Sequence, residues 1–223
     1  MTQAGLSPPP TAATVPGCAA VAFESQSRTN PAPTRLILGL SGASGMPFAL
    51  RMLEVLQGLS VEMHLIVSKA AAQTLAVETE HGLQQARDLA DHVYANGDIG
   101  AAIASGSFRT QGMMIVPCSV KTLAEVANGI GSSLLSRAAD VTLKERRRLV
   151  LGVRETPLTL AHLRNMTAVT EMGGIIAPPM PAFYTKGHDL DAQINHQVQR
   201  WLDLMGLHLD LAPRWGEPAA DRN

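Results

Sequence analysis

The chain has 223 residues, 46% of them hydrophobic, enough for one sizeable core and too few for two domains of ordinary size. Its 18 Lys and Arg against 19 Asp and Glu leave a net charge of −1, which excludes a general attraction to nucleic acid or to an anionic membrane, so any basic site must be local. Two cysteines, Cys18 and Cys118, cannot build a disulfide framework, and no apolar run reaches bilayer-spanning length, so the expected location is a reducing cytoplasm.

Met1 to Pro33 is rich in Pro, Ala, Thr and Ser and carries no sustained period, which predicts a disordered extension. Pro8 to Pro10 and Pro16 interrupt its one apolar stretch and no Lys or Arg precedes it, so it does not read as a signal peptide. The folded domain is expected over residues 34–216, with a short tail over 217–223.

The apolar run from Leu36 to Leu40 predicts a buried first strand. It ends in the small-residue turn Ser41-Gly42-Ala43-Ser44-Gly45, and an amphipathic helix follows from Met46 to Leu56. A strand, a tight turn and a helix N-terminus together favour an anion, with Ser41 and Ser44 as hydroxyl donors and Gly42 and Gly45 leaving room for a ligand. The glycines are three apart rather than in the G-x-G-x-x-G dinucleotide spacing. The second strand, Glu62 to Val67, ends in Ser68-Lys69 instead of an acidic residue, so a phosphate-bearing mononucleotide fits better than NAD.

A helix is expected from Lys69 to Thr79 with Ser68 as its cap, then a short helix from Leu83 to Ala90 and a short strand from His92 to Tyr94. The small-residue stretch Gly97 to Gln111, with Ser105-Gly106-Ser107, reads as a loop lying close to a ligand or to another part of an assembly. Met113 to Val116 is the next strand, running into a second polar turn at Pro117-Cys118-Ser119-Val120-Lys121-Thr122 and a helix to Asn128. Helices are predicted over Ser133 to Arg147, Leu160 to Glu171 and Leu190 to Leu204, and strands over Leu149 to Val153 and Gly174 to Ala177. Alternating apolar strands and helices indicate an α/β, Rossmann-like three-layer sandwich with a mostly parallel sheet. The polar turns after its strands, Ser41 to Gly45, Ser68-Lys69, Ser119 to Thr122 and Arg154-Glu155, are then candidates for a single crevice.

The run Lys144 to Arg148 is expected as a solvated helix C-terminus. Asp189 and Asp191 read as cap and first turn of the last helix, and Cys118 as a small core residue. The seven histidines do not cluster, and neither H-E-x-x-H nor paired Cys/His spacing occurs, so no metal site is expected.

Seven ordered motifs resemble those of the UbiX/Pad-type flavin prenyltransferases over most of Thr34 to Trp215: RLILGLSGASG from Arg35, VSKAAAQTLAVET from Val67, PCSVKTLA from Pro117, RAADVTLKERR from Arg137, VRETPL from Val153, PPMPAFY from Pro178 and PRWGE from Pro213. The resemblance implies transfer of a dimethylallyl group from its monophosphate to N5 and C6 of reduced FMN. The product is the prenylated flavin that a partner decarboxylase of the UbiD type requires, in ubiquinone synthesis or in aromatic acid breakdown. It further implies a homo-oligomer, commonly a dodecamer, with active sites at subunit junctions.

By resemblance, Gly42, Ala43, Ser44, Ser68, Ser119, Val120, Lys121, Thr122 and Arg154 match positions that hold FMN. Tyr184, Arg200, Lys144 and Arg137 match positions associated with the prenyl phosphate, and Glu78, Glu155, Ser44 and Trp215 surround the reacting atoms. Such chemistry suits the residue types: preplaced cations and a phenol stabilise a departing phosphate without a metal, a carboxylate such as Glu155 or the released phosphate itself accepts a proton, and an indole face shelters allylic positive charge. Trp215 could equally be an apolar anchor for the tail, and Glu155 a structural partner of Arg154. Two other readings compete, an FMN-dependent decarboxylase of the phosphopantothenoylcysteine type and a non-catalytic FMN carrier. Pro181 after Met180 breaks the P-x-M-N pattern of the first, and the second needs no phosphate-binding set beyond the flavin's own.

Overall fold

The computed structural model describes residues 34–185 and 189–217; the expected extension 1–33 and all but the first residue of the tail 217–223 lie outside the described residues. Six strands form one sheet: β1 Thr34–Leu40, β2 Val61–Val67, β3 His92–Ala95, β4 Gly112–Cys118, β5 Arg148–Val153 and β6 Ile175–Ile176. All pair in parallel in the order β3-β2-β1-β4-β5-β6, which is the dinucleotide-fold order. The central strands are apolar because both faces are covered: every residue of β4 is buried.

Among the described residues, seven α-helices cover these faces: α1 Met46–Gln57, α2 Lys69–Glu78, α3 Gly82–Asp88, α4 Val120–Ala127, α5 Leu134–Lys144, α6 Leu160–Glu171 and α7 Leu190–Leu204. Leu36, Leu38 and Leu40 of β1 pack with the apolar stripes of α1 and α7 on one side. Ile37 points the other way, with Leu123, Leu135 and Ala139 of α4 and α5. Trp201 fastens α7: it is 1% exposed, meets Phe48 edge-on at 5.4 Å, and donates its indole N–H to the Ala177 carbonyl at 2.8 Å. Burying one such ring contributes about 3 kcal/mol.

Several expected boundaries shift by a residue or two, and three differences bear on the fold. The strand β4 continues through Pro117 and Cys118 rather than turning at Pro117; the register with β5 shifts between Ile115 and Cys118, and such an irregularity tolerates a residue without an N–H. The helix α5 stops at Lys144 instead of Arg147. Arg146 takes a left-handed φ of 56°, and the N–H groups of Arg146 and Arg147 turn back to Leu143 and Thr142 in a Schellman closure, a stop normally signalled by Gly. The basic run is thereby divided: Arg147 donates to the carbonyls of Gly106 and Phe108, pinning the small-residue loop, and Arg148 opens β5. Finally, β6 keeps only two residues of the expected strand, although the Ala177 N–H still bonds the Leu151 carbonyl.

Candidate active site

Between β1 and β4 the strand order reverses, so the connections that leave their C-terminal ends turn to opposite sides of the sheet. A cavity of about 600 Å³ opens there. Gly42, Ala43 and Ser44 line it from the turn after β1, Ser68 and Lys69 from the start of α2, Ser119 to Thr122 from the start of α4, and Arg154 and Glu155 from the end of β5. The structure thus brings all four predicted polar turns into one crevice. It adds Ala70, Gln73, Asn96, Glu125, Ser133 and Leu135, which the sequence reading missed. Asn96 is informative: its backbone carbonyl and Oδ1 accept the N–H groups of Leu134 and Leu135, closing the first turn of α5 from another strand end. An Asn-Gly pair after a short strand was the signal for it.

Ser68 Oγ accepts the Ala71 N–H at 3.0 Å and Ser119 Oγ accepts the Thr122 N–H at 3.3 Å, so α2 and α4 are capped in the ordinary way. The N–H groups of Lys69, Ala70, Val120 and Lys121 find no side-chain acceptor among the described residues. Two helix N-termini therefore open on the cavity, an arrangement that favours an anion. Arg154 adds a cation at the rim, exposed and without an ion-pair partner among the described residues.

The expected anion position, the start of α1, is corrected. Glu78, from the end of α2, places Oε2 2.9 Å from the Gly45 nitrogen and 2.8 Å from the Met46 nitrogen and accepts both N–H groups. The protein's own carboxylate fills that helix end. Burial pushes the Glu78 pKa up, but hydrogen bonds from Ser44, Met46 and Gly45 and the charge of Arg154 outweigh it and hold the carboxyl below its usual range. Ser41 is corrected too. It is 1% exposed, donates Oγ–H to the Pro117 carbonyl and accepts the Ser119 N–H, joining the ends of β1 and β4 rather than facing a ligand. Nor do the two glycines leave ligand room at their α-carbons: a side chain on Gly42 would collide with Ala70, and Gly45 holds a φ of 115° against the Phe48 ring.

Glu155 is exposed and accepts the following N–H, that of Thr156, at 3.0 Å. The alternative in which it is paired with Arg154 is therefore not realised. Cys118 is fully buried, and burial pushes its thiol pKa up, in keeping with a core residue.

The second candidate set does not line this cavity. Arg137 pairs with Asp140 at 2.8 Å and Lys144 with Glu145 at 2.6 Å along α5. Around α7, the Tyr184 hydroxyl lies 2.8 Å from His196 Nε2, Arg200 contacts Asp203 at 3.3 Å, and Trp215 meets Tyr184 edge-on at 5.2 Å. Trp215 is 79% exposed and does not anchor the tail; Arg214 does, with two bonds to Asp203 at 2.7 and 3.0 Å. The expectation that the histidines do not cluster is also corrected, since strand pairing stacks His64 on His92 beside Glu62.

Comparison with known proteins gives consistent matches. The flavoprotein family model matches residues 24–198. The flavin prenyltransferase UbiX of Neisseria meningitidis serogroup B is 53% identical, over 81% of this chain and 96% of its own. A crystal structure of AnUbiX in complex with FMN and dimethylallyl pyrophosphate is 46% identical, covers 83% of this chain and 99% of that one, and has a TM-score of 0.82. A dodecameric FMN-dependent UbiX-like decarboxylase from Escherichia coli O157:H7 is 45% identical, with coverage of 82% and 100% and a TM-score of 0.80.

Proposed function

The chain belongs to the UbiX family of flavin prenyltransferases, and from that membership we propose how its crevice serves the transfer of a dimethylallyl group to reduced FMN. One observation carries the reading: a 600 Å³ cavity at the switch point, in the size range of small-molecule sites, ringed by two open helix N-termini and Arg154, with Ser68 at the end of β2 where NAD folds place an acid. These residues fit a flavin mononucleotide. The first turns of α2 and α4, with Ser68, Ser119, Val120, Lys121, Thr122 and Arg154, would hold it, and Gly42, Ala43 and Ser44 would form the adjoining wall. When bound, reduced FMN supplies the nucleophilic N5 and C6 atoms.

The chain's own groups then have separate tasks. Arg137, Lys144, Tyr184 and Arg200 would take the phosphate of the prenyl donor, their donors meeting the charge that grows as the allylic C–O bond breaks. Glu155, exposed at the crevice rim, would accept the proton lost at ring closure. Glu78 with Ser44 would hold the turn beneath, and the Trp215 face would shelter allylic positive charge. Because the donor-side residues sit away from their own cavity, we infer that a second subunit completes each site, as in a homo-oligomer like the dodecameric relative from E. coli O157:H7. Exposed apolar side chains such as Val77, Leu160, Phe183 and Leu190 favour such an assembly. Residues 34–216 are taken as the catalytic unit, working in the cytoplasm and delivering its product to a UbiD-type decarboxylase; among the described residues no helix is long and apolar enough to cross a membrane.

The test is anaerobic incubation with reduced FMN and dimethylallyl monophosphate, and in parallel the pyrophosphate, followed by the mass of the flavin. Gain of one dimethylallyl unit is expected with the monophosphate. An unchanged flavin mass with both donors would return the carrier and decarboxylase readings.

A further inference from the structure

Away from the crevice, three ligand-bearing side chains meet on β2 and at the start of the edge strand β3. Parallel pairing sets His64 of β2 opposite His92 of β3, and strand alternation puts Glu62 on the same face as His64. The two imidazole rings stack with centroids 4.7 Å apart and planes 19° apart. His64 Nε2 lies 3.3 Å, and His92 Nε2 3.0 Å, from the same oxygen, Glu62 Oε1. One ligand atom from each residue falls within 4.8 Å of the others. A tetrahedral zinc ion with bonds of about 2.0–2.1 Å holds its ligands about 3.3 Å apart.

A second observation is independent of that spacing. His64 is 1% exposed, and among the described residues its Nε2 has no hydrogen-bond partner, although Glu62 Oε1 lies 3.3 Å away. Its Nδ1 lies 2.9 Å from the Tyr94 hydroxyl. In the tautomer that keeps the proton on Nδ1 and donates it to Tyr94, Nε2 presents a bare lone pair 3.3 Å from an anionic oxygen, a repulsion that a cation between them converts to attraction. The surroundings are those of a supported ligand set. Arg35 Nε donates to Glu62 Oε2 at 2.9 Å, which orients the carboxylate with Oε1 toward the two imidazoles, where it is the hydrogen-bond partner of His92 Nε2 at 3.0 Å. Phe108 stands edge-on to His64 at 5.2 Å and carries Arg35 4.7 Å above its ring, closing the inner side. Outer contacts of this kind orient metal ligands and set the histidine tautomer.

We infer that Glu62, His64 and His92 form a zinc-type divalent metal site, with the fourth position open to water beside the half-exposed His92. The ion clamps β3, a four-residue strand that among the described residues pairs only with β2, to the rest of the sheet. The site is distinct from the crevice, because the extended chain from Glu62 to Ser68 spans roughly 20 Å. It does not take part in prenyl transfer.

The test uses the tag-free full chain, stripped with EDTA and dialysed, with zinc chloride and cobalt chloride as probes. Zinc should raise the melting temperature by several degrees, and Co²⁺ should give the visible absorption of a tetrahedral nitrogen and oxygen site at one ion per chain. A His92→Gln variant should lose both responses and keep the metal-free melting temperature and the prenyl-transfer rate measured in EDTA. Glu62→Gln should weaken Co²⁺ binding at least tenfold. Absence of the Co²⁺ spectrum in the unaltered chain, or an equal zinc-induced rise in His92→Gln, overturns the assignment.

Discussion

Replacing Glu78 by Gln tests whether a carboxylate is needed at the start of α1. Both N–H groups, from Gly45 and Met46, go to one oxygen, Oε2, and the single carbonyl oxygen of Gln can accept both. What the substitution removes is the charge opposite the helix dipole and the charge assistance of two hydrogen bonds. A partly buried charge at a helix end is worth up to about 2 kcal/mol, so a loss of about 1–2 kcal/mol is expected. For a chain of this size each kcal/mol moves the melting temperature by about 2–4 °C, giving a fall of roughly 2–8 °C at pH 7 and fixed protein concentration. The pH dependence follows from the lowered pKa: the stabilisation is complete above the unfolded value, near 4.5, and is lost as pH falls through the still lower folded value. The gap between the unaltered protein and the Glu78→Gln variant should therefore be full at neutral pH and close below pH 4.5. Equal melting temperatures at pH 7, or a gap independent of pH, would refute the reasoning.

Three further outcomes are expected. Glu155→Gln should leave FMN affinity nearly unchanged while product formed per bound flavin falls by roughly 10²-fold or more, the usual size of a general acid–base contribution; an undiminished rate would remove Glu155 from the chemistry. Co-expressing Arg137→Ala with Glu155→Gln chains should restore a measurable part of the activity that each lacks alone, because mixed oligomers contain sites with both residues intact; no recovery would mean that the two act from one chain. Deleting residues 1–33 should leave activity and thermal stability intact, and a drop of several degrees would instead reveal docking of that segment.

Elements whose ends carry local chemistry were legible in the sequence. The last helix runs from Leu190 to Leu204 as expected, because Asp189 caps it and its period is uninterrupted. Ser68 caps α2 as expected, its Oγ accepting the Ala71 N–H. The crevice was legible because parallel strands must deliver their polar C-terminal turns to one edge. What escaped depended on partners distant in sequence. Glu78 reaches back to the start of α1, Asn96 closes α5, and Ser41 joins β1 to β4, and none of these contacts has a spacing rule. His64 and His92 meet only through strand register. The stop of α5 was hidden because Arg146, not Gly, takes the left-handed position. The resemblance supplied Arg137, Lys144, Tyr184, Arg200 and Trp215, whose separation from the cavity within one chain gave rise to the subunit-completion proposal.

The central claim is that the flavin lies in the cavity between β1 and β4, with its phosphate at open helix N-termini. Val120→Asp tests it most directly. Val120 lines the cavity as the first residue of α4, where an acidic side chain suits the helix dipole, so the fold should be as stable as before or slightly more so. The same carboxylate would face the bound phosphate, and two like charges about 8 Å apart repel by about 2 kcal/mol at an effective dielectric constant near 20. A titration with FMN should then show affinity reduced at least tenfold, with no loss in melting temperature. Unchanged FMN affinity in a well-folded Val120→Asp protein would contradict the location.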